Sequence, residues 1–132
     1  MRNRNKKQII LGVNGWTERG HDASACIVKD TTIVAFAEEE RFLRSKHSYD
    51  SLPLRSIASC LQAGNVTVDE IDTVAYGCDI PKIYRMRNRR FPYSKKEILT
   101  ALFPPDVYSY QRLPALKFVN HHLSHAASAY RV

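Results

Sequence analysis

The sequence predicts an α/β protein: a mixed sheet of about five strands with three helices in one modest domain. Three observations carry this. β-Prone runs follow one another closely at the start of the chain, and helix-patterned or helix-capped stretches then alternate with short apolar runs. The 132 residues, 44% of them apolar, suffice for one core.

The first run, Gln8–Asn14, is short, apolar and bounded by polar and glycine residues, as suits a buried strand. A polar loop, Asn14–Asp22, leads to Ser24–Val28 and, after Lys29-Asp30-Thr31, to Thr32–Ala37. Two β-prone runs about an Asp-containing turn read as a hairpin, so the three strands form an antiparallel meander. Ser51-Leu52-Pro53 predicts a helix start, with Ser51 as cap and Pro53 in the first turn. Leu54, Ile57, Ala58 and Leu61 supply its apolar stripe and Gly64 its stop. Thr73–Tyr76 is a short strand entered from the acidic turn Asp69–Asp72. Residues 79–93 lack clean periodicity and read as an exposed basic insertion. Ser94-Lys95-Lys96-Glu97 is a capping box for a helix to about Leu102, ended by Pro104-Pro105. Leu116–Val119 reads as a last strand, and Asn120 as the cap of a final helix. This order is also how one lobe of a ribonuclease-H-like or actin-like ATPase fold begins, an analogy that by itself carries no function.

The formal charge of +7 is uneven. The basic tail, residues 1–7, holds four cations and the Lys82–Lys96 stretch seven, with no acid in either. The 13 acidic residues therefore face only 9 basic ones elsewhere, a mildly acidic body. Nucleic-acid binding is not favoured, because the cations are not tied to a groove-sized element. No apolar run approaches the roughly 20 residues of a membrane span. Ile9-Ile10-Leu11 is also too short for a signal-peptide core of about 7–15 residues. Cys26, Cys60 and Cys78 show no CxxC spacing and read as reduced, partly buried thiols of a cytoplasmic protein.

The segment Asn120–Tyr130 is chemically the most informative. On a helix, His125 falls about 40° from His121, while Leu123, Ala126, Ala127 and Tyr130 occupy the opposite side. Two imidazoles at i, i+4 suit a shared divalent metal, as in the HExxH zinc helix. The glutamate of that motif is missing, and two ligands are too few for a site. By spacing alone, two solvated histidines near a helix start are the simpler reading.

Three ordered blocks carry a resemblance: Gly20-His21-Asp22-Ala23-Ser24-Ala25, Glu38-Glu39-Glu40-Arg41-Phe42-Leu43-Arg44-Ser45-Lys46-His47, and His121-His122-Leu123-Ser124-His125-Ala126-Ala127-Ser128-Ala129-Tyr130. Together they resemble the N-terminal portion of the O-carbamoyltransferase family of nodulation and antibiotic biosynthesis. That family has the actin-like ATPase fold and is related to the tRNA threonylcarbamoyltransferase. The resemblance implies residues 8–132 as an N-terminal lobe. It implies His121 and His125 as ligands of a divalent metal, iron first. The activity implied uses carbamoyl phosphate and ATP with Mg2+ to make a carbamoyladenylate, and then carbamoylates a hydroxyl of a small molecule.

Backbone N–H groups and hydroxyls in the turn containing Gly20, Asp22 and Ser24 suit phosphate. In the second block Arg41 offers a fork, and Lys46 and His47 a point charge or a proton. Without the resemblance, a solvated charged loop is the simpler reading of that block. With it, His21, Asp22, Lys46 and His47 become catalytic candidates, and Gly20, Ser24 and Arg41 cofactor-binding ones. Members of the family are much longer, with a second lobe, which supplies an aspartate ligand, and an adenylating domain. The expectation is thus a small subunit or N-terminal fragment, inactive without a larger partner subunit. The alternatives are a truncated copy and a non-catalytic binding or regulatory module.

Overall fold

A computed structural model describes residues 6–124 of the chain. It is α/β, as the pattern predicts. The strands are β1 (Ile9–Asn14), β2 (Ser24–Lys29), β3 (Thr32–Glu38), β4 (Thr73–Tyr76) and β5 (Ala115–Phe118). They form one mixed sheet in the order β3-β2-β1-β4-β5. β1, β2 and β3 pair antiparallel, as the meander requires, whereas β4 and β5 run parallel to β1. The C-terminal ends of β1, β4 and β5 therefore open on the same edge.

The period-2 pattern of the strands builds one covered face. Leu11, Val13, Ala25, Ile27, Val74, Tyr76 and Leu116 are all buried on it. Helix α2 (Leu54–Gly64) packs over β2 and β3, placing Ile57, Cys60 and Leu61 in the same core. Helix α4 (Lys95–Leu102) adds Ile98, Leu99 and Leu102, with Phe103 just beyond it. Its capping box forms as predicted: Glu97 N–H donates to Ser94 Oγ at 3.1 Å, and Ser94 N–H to Glu97 Oε2 at 3.4 Å. On the opposite face, at the β3 edge, Ile33 and Phe36 stay 69% and 63% exposed.

Four expectations need correction. Ser51 does not cap α2; its hydroxyl donates to the carbonyl of Tyr49. Helix α1 (Glu39–Leu43) follows β3 and was too short to announce itself by periodicity. Its buried Glu39 does the capping instead: the carboxylate accepts from Arg55 N at 3.1 Å, Ser56 N at 2.7 Å and Ser56 Oγ at 2.7 Å. That anchor rotates α2, so Ser56, Ile57, Cys60 and Leu61 face inward while Leu54 and Ala58 are exposed. Gly64 ends the helix, but the left-handed stop is Asn65, at φ 51°.

Finally, residues 79–93 are not simply an exposed insertion. Helix α3 (Ile80–Met86) lies within them, capped by Asp79, whose side chain accepts from Lys82 N, with Pro81 in the first turn. Ile80 and Tyr84, at i and i+4, are buried, whereas Lys82, Arg85, Arg87, Arg89 and Arg90 are exposed. Two inward positions are too few to register as a period.

Candidate functional site

The turn after β1 is built from residues that force its shape. Gly15 adopts φ +119°, and a Cβ there would meet Ser51 O at 2.7 Å and Ala23 Cβ at 2.6 Å. A Cβ on Gly20 would lie 2.4 Å from Trp16 O, so its glycine identity follows from closure of the loop on itself. This loop is stitched to a second one, residues 44–51, by main-chain bonds. Asp22 N–H donates to His47 O at 2.6 Å and Asp50 N–H to Gly20 O at 2.9 Å. The buried Ser48 hydroxyl accepts from Ala23 N at 3.1 Å. Asp22, Arg44, His47, Ser48 and Asp50 all carry positive φ in these two loops. Non-glycine residues held in that region concentrate where structure over-determines geometry, often at working sites.

What the stitching produces is a carboxylate between two imidazoles. His21 Nδ1 lies 2.8 Å from Asp22 Oδ2, and His47 Nδ1 lies 3.0 Å from Asp22 Oδ1. Hydrogen bonds from His21, and secondarily from His47, hold the Asp22 carboxyl below its usual pKa. An ionised carboxylate only accepts, so each ring donates its Nδ1–H. In the neutral ring the lone pair then sits on Nε2, the arrangement of an imidazole oriented to take a proton or bind a metal. Two further groups fix this unit. Asn14 Nδ2 donates to the carbonyls of His21 and Asp22 at 3.1 and 3.2 Å. Glu40 Oε2 accepts from His47 N at 3.2 Å.

His21 also lines a cavity of about 500 Å³ at the C-terminal edge of β1, β4 and β5. Crevices at that edge of α/β sheets are the usual ligand sites of such folds. Its walls are the loop after β1, helix α3 and residues 120–122. Trp16 stands among rings, 5.7 Å from Tyr93, 6.0 Å from Phe91 and 6.3 Å from Tyr76, and its Nε1 donates to Tyr84 Oη at 3.4 Å. Tyr76, buried, donates its hydroxyl to the carbonyl of Gly15. Tyr84 donates to Glu18 at 2.9 Å, and Arg89 clasps the same carboxylate while lying 4.9 Å over the Tyr84 ring. The bonds from Arg89 and then Tyr84 hold Glu18 below the usual carboxylate range. Arg19, Lys82 and Arg87 add positive charge to the lining.

The sequence candidates thus divide. His21, Asp22 and His47 come together, with Gly20 and His21 on the cavity wall. Lys46 sits exposed in the short 3-10 turn beside His47 and is not on the cavity lining. Arg41 donates to Glu38 at 3.3 Å, also off the lining. Ser24 opens β2, its backbone committed to pairing with Asn14 and Glu38. Asn120 caps the last helical turn through Leu123 N at 3.1 Å, as predicted, which sets His121 and His122 on the cavity wall. His125 lies outside the described residues. Among the described residues, no three His, Cys, Asp or Glu side chains are grouped to hold a metal ion.

Sequence reasoning missed Trp16, Glu18, Tyr84 and Arg89. The lone tryptophan, placed in a polar loop, was the one available signal.

The chain is similar to a nodulation protein. It is 36% identical, over 118 residues, to nodulation protein NolNO of Sinorhizobium fredii, covering 83% of this chain and 17% of that protein. It is 28% identical over 143 residues to the uncharacterized protein sll1178 of Synechocystis, covering 92% of this chain and 23% of the other. A shorter match, 45% over 56 residues, joins 42% of the chain to 32% of an uncharacterized 19.2 kDa protein of the syrM 5′ region of Rhizobium etli. The chain therefore spans about a fifth of the length of the first two relatives. No protein-family model matches the sequence. Among the described residues, no helix is long and apolar enough to cross a membrane.

Proposed function

We propose that this chain forms one wall of an O-carbamoyltransferase site, in which His21, oriented by Asp22, removes the proton of an acceptor hydroxyl. The carboxylate of Asp22 between the Nδ1 atoms of His21 and His47 carries the reading, because it leaves a lone pair on Nε2 of His21, a residue that lines the cavity. The similarity to a nodulation protein supports the reaction class. The strand order β3-β2-β1-β4-β5 supports the ribonuclease-H-like or actin-like lobe.

ATP with Mg2+ and carbamoyl phosphate supply the activated donor, a carbamoyl group on a phosphate oxygen. The acceptor oxygen forms a bond to the carbamoyl carbon as the C–O bond to phosphate breaks. The hydroxyl proton passes to His21 Nε2, and the nucleotide leaves with the bonding pair. Asp22 stabilises the resulting imidazolium, as a carboxylate behind a catalytic histidine does. His47 shares that carboxylate and limits its rotation. Arg19 and Lys82 offer the cavity's positive charge to the leaving phosphate. A divalent metal, iron first by the resemblance, would be held by His121 and His125 with further ligands from beyond this chain. Bound there, it would polarise phosphate oxygens. The second wall and the adenylating activity belong to further polypeptide, in a partner subunit or in the remainder of a longer protein.

The experiment mixes the chain with the part of the nodulation relative that it does not match, together with ATP, labelled carbamoyl phosphate and a hydroxylated acceptor. Label should transfer only in the mixture and should fall at least about a hundredfold with His21→Asn. Transfer that ignores His21→Asn and Asp22→Asn would sink the catalytic assignment. Absence of any complex or transfer favours a binding or regulatory module that keeps the scaffold.

A further inference from the structure

Arg85, Lys95 and Lys117 come from three elements: α3, the first turn of α4, and β5. They converge on a second cavity of about 610 Å³, lined also by Phe91, Tyr93 and Phe118. It shares only Asp79 with the histidine-lined cavity. The Asp79 carboxylate is engaged in capping α3, through Lys82 N at 3.2 Å. None of the three cations forms an ion pair among the described residues. The rings hold one another in place: Phe91 meets Tyr93 at 5.7 Å and Phe118 at 6.3 Å, both edge-on.

We propose that this second cavity binds a phosphorylated ligand with a planar group, of the nucleoside mono- or diphosphate class. An arginine fork and two lysine point charges are the donors that phosphate oxygens take. Phe91, Tyr93 and Phe118 offer an apolar, aromatic surface to a flat base. The cavity is a groove largely open to solvent, which leaves room for a flat ligand to lie along the rings. A nucleic-acid strand fits less well, because the basic segment is divided rather than continuous. Arg89 is engaged by Glu18, Lys82 and Arg87 line the first cavity, and only Arg85 and Lys95 of that segment reach this one. The site stands independently of the histidine chemistry.

Trp16, the single tryptophan, lines the first cavity and packs against Phe91 and Tyr93 of the second, so its fluorescence reads both and the variants tell them apart. Titrating the whole chain with ADP at fixed ionic strength should give a saturable change. Arg85→Ala and Lys117→Ala should each weaken it about tenfold, the loss expected for a charged hydrogen bond. Arg90→Ala, the same charge change outside both cavities, should leave it unaltered. Adenosine and pyrophosphate should each bind more weakly than ADP, since each lacks one half of the recognised group. Four results overturn the proposal. These are no saturable change, adenosine or pyrophosphate binding as tightly as ADP, loss on Lys82→Ala or Arg87→Ala in place of Arg85→Ala, and a short oligothymidylate binding more tightly than ADP with a steep salt dependence.

Discussion

On one side of the histidine-lined cavity, the loops around Asp22 and His47 are fixed by short directional bonds. Main-chain donors, a buried serine hydroxyl and one carboxylate hold them, with several residues in left-handed backbone. Across the cavity, α3 is held by Trp16, Tyr84, Phe91 and Tyr93, whose rings pack without strict register, and by the exposed Glu18–Arg89 pair. Directional bonds with strained backbone set atoms to within tenths of an ångström and fail abruptly. Ring packing yields gradually and can accommodate a ligand. The first wall is suited to orienting a proton, the second to receiving whatever shape comes with it.

That contrast is most sharply broken at Gly15. Gly15→Ala puts a Cβ against Ser51 O and Ala23 at positive φ, and should cost about 3–4 kcal/mol in urea unfolding. Glu39→Ala comes next. It strands the buried amide and hydroxyl of Ser56 and frees the half-buried Arg55 amide, for an expected loss of about 2–3 kcal/mol. Both probe geometry set by close approach or directional bonds, and a loss under about 0.5 kcal/mol for either would show that this geometry is not needed.

Asp22→Asn probes orientation rather than stability. In the wild type, nitrogen-15 spectra should show the Nδ1–H tautomer for His21 and His47; the variant should show mixtures. The pH response follows from the lowered Asp22 and Asp72 pKa values; for Asp72 the main cause is the bond from Ile9 N. A carboxyl whose folded pKa is depressed contributes stability above its unfolded value. That contribution is lost as pH falls below the ordinary value of 3.8 and through the folded one. Loosening between the two loops and between β1 and Asp72 should therefore begin in acid and not at neutral pH. Amide exchange at Ile9 reads the second.

On the ring-packed side, Phe91→Leu should cost no more than about 1–1.5 kcal/mol, because a large apolar side chain can resettle among neighbouring rings. The smallest effect concerns the thiols. Burial pushes Cys60 up to about 11, so iodoacetamide at pH 8 should modify it more slowly than the half-buried Cys78.

Much of the sheet was legible because strand burial follows a period of two, and Ser94-Lys95-Lys96-Glu97 writes its own cap. What escaped depended on partners distant in sequence. Nothing local to Ser51 says that Glu39 will reach the start of α2 first, and that substitution turned the helix by about one position. Three consecutive glutamates read as strand-end chemistry, yet they serve three different neighbours: Arg41, the α2 amides and His47 N. His21 and Asp22 were legible as a motif. That His47 would close on the same carboxylate depends on backbone at φ 65°, which no propensity announces. The aromatic wall was missed because its members lie on four separate segments, each with one or two rings.

The uncovered apolar positions on β3 carry a practical consequence. Among the described residues β3 is an outermost strand, whose free edge offers unpaired N–H and C=O groups, and large apolar side chains, Ile33 and Phe36, stand beside them. Such an edge is a template for recruiting another strand. In concentrated solution it should make the isolated chain prone to self-association, and a lysine in place of Phe36 should keep it dispersed.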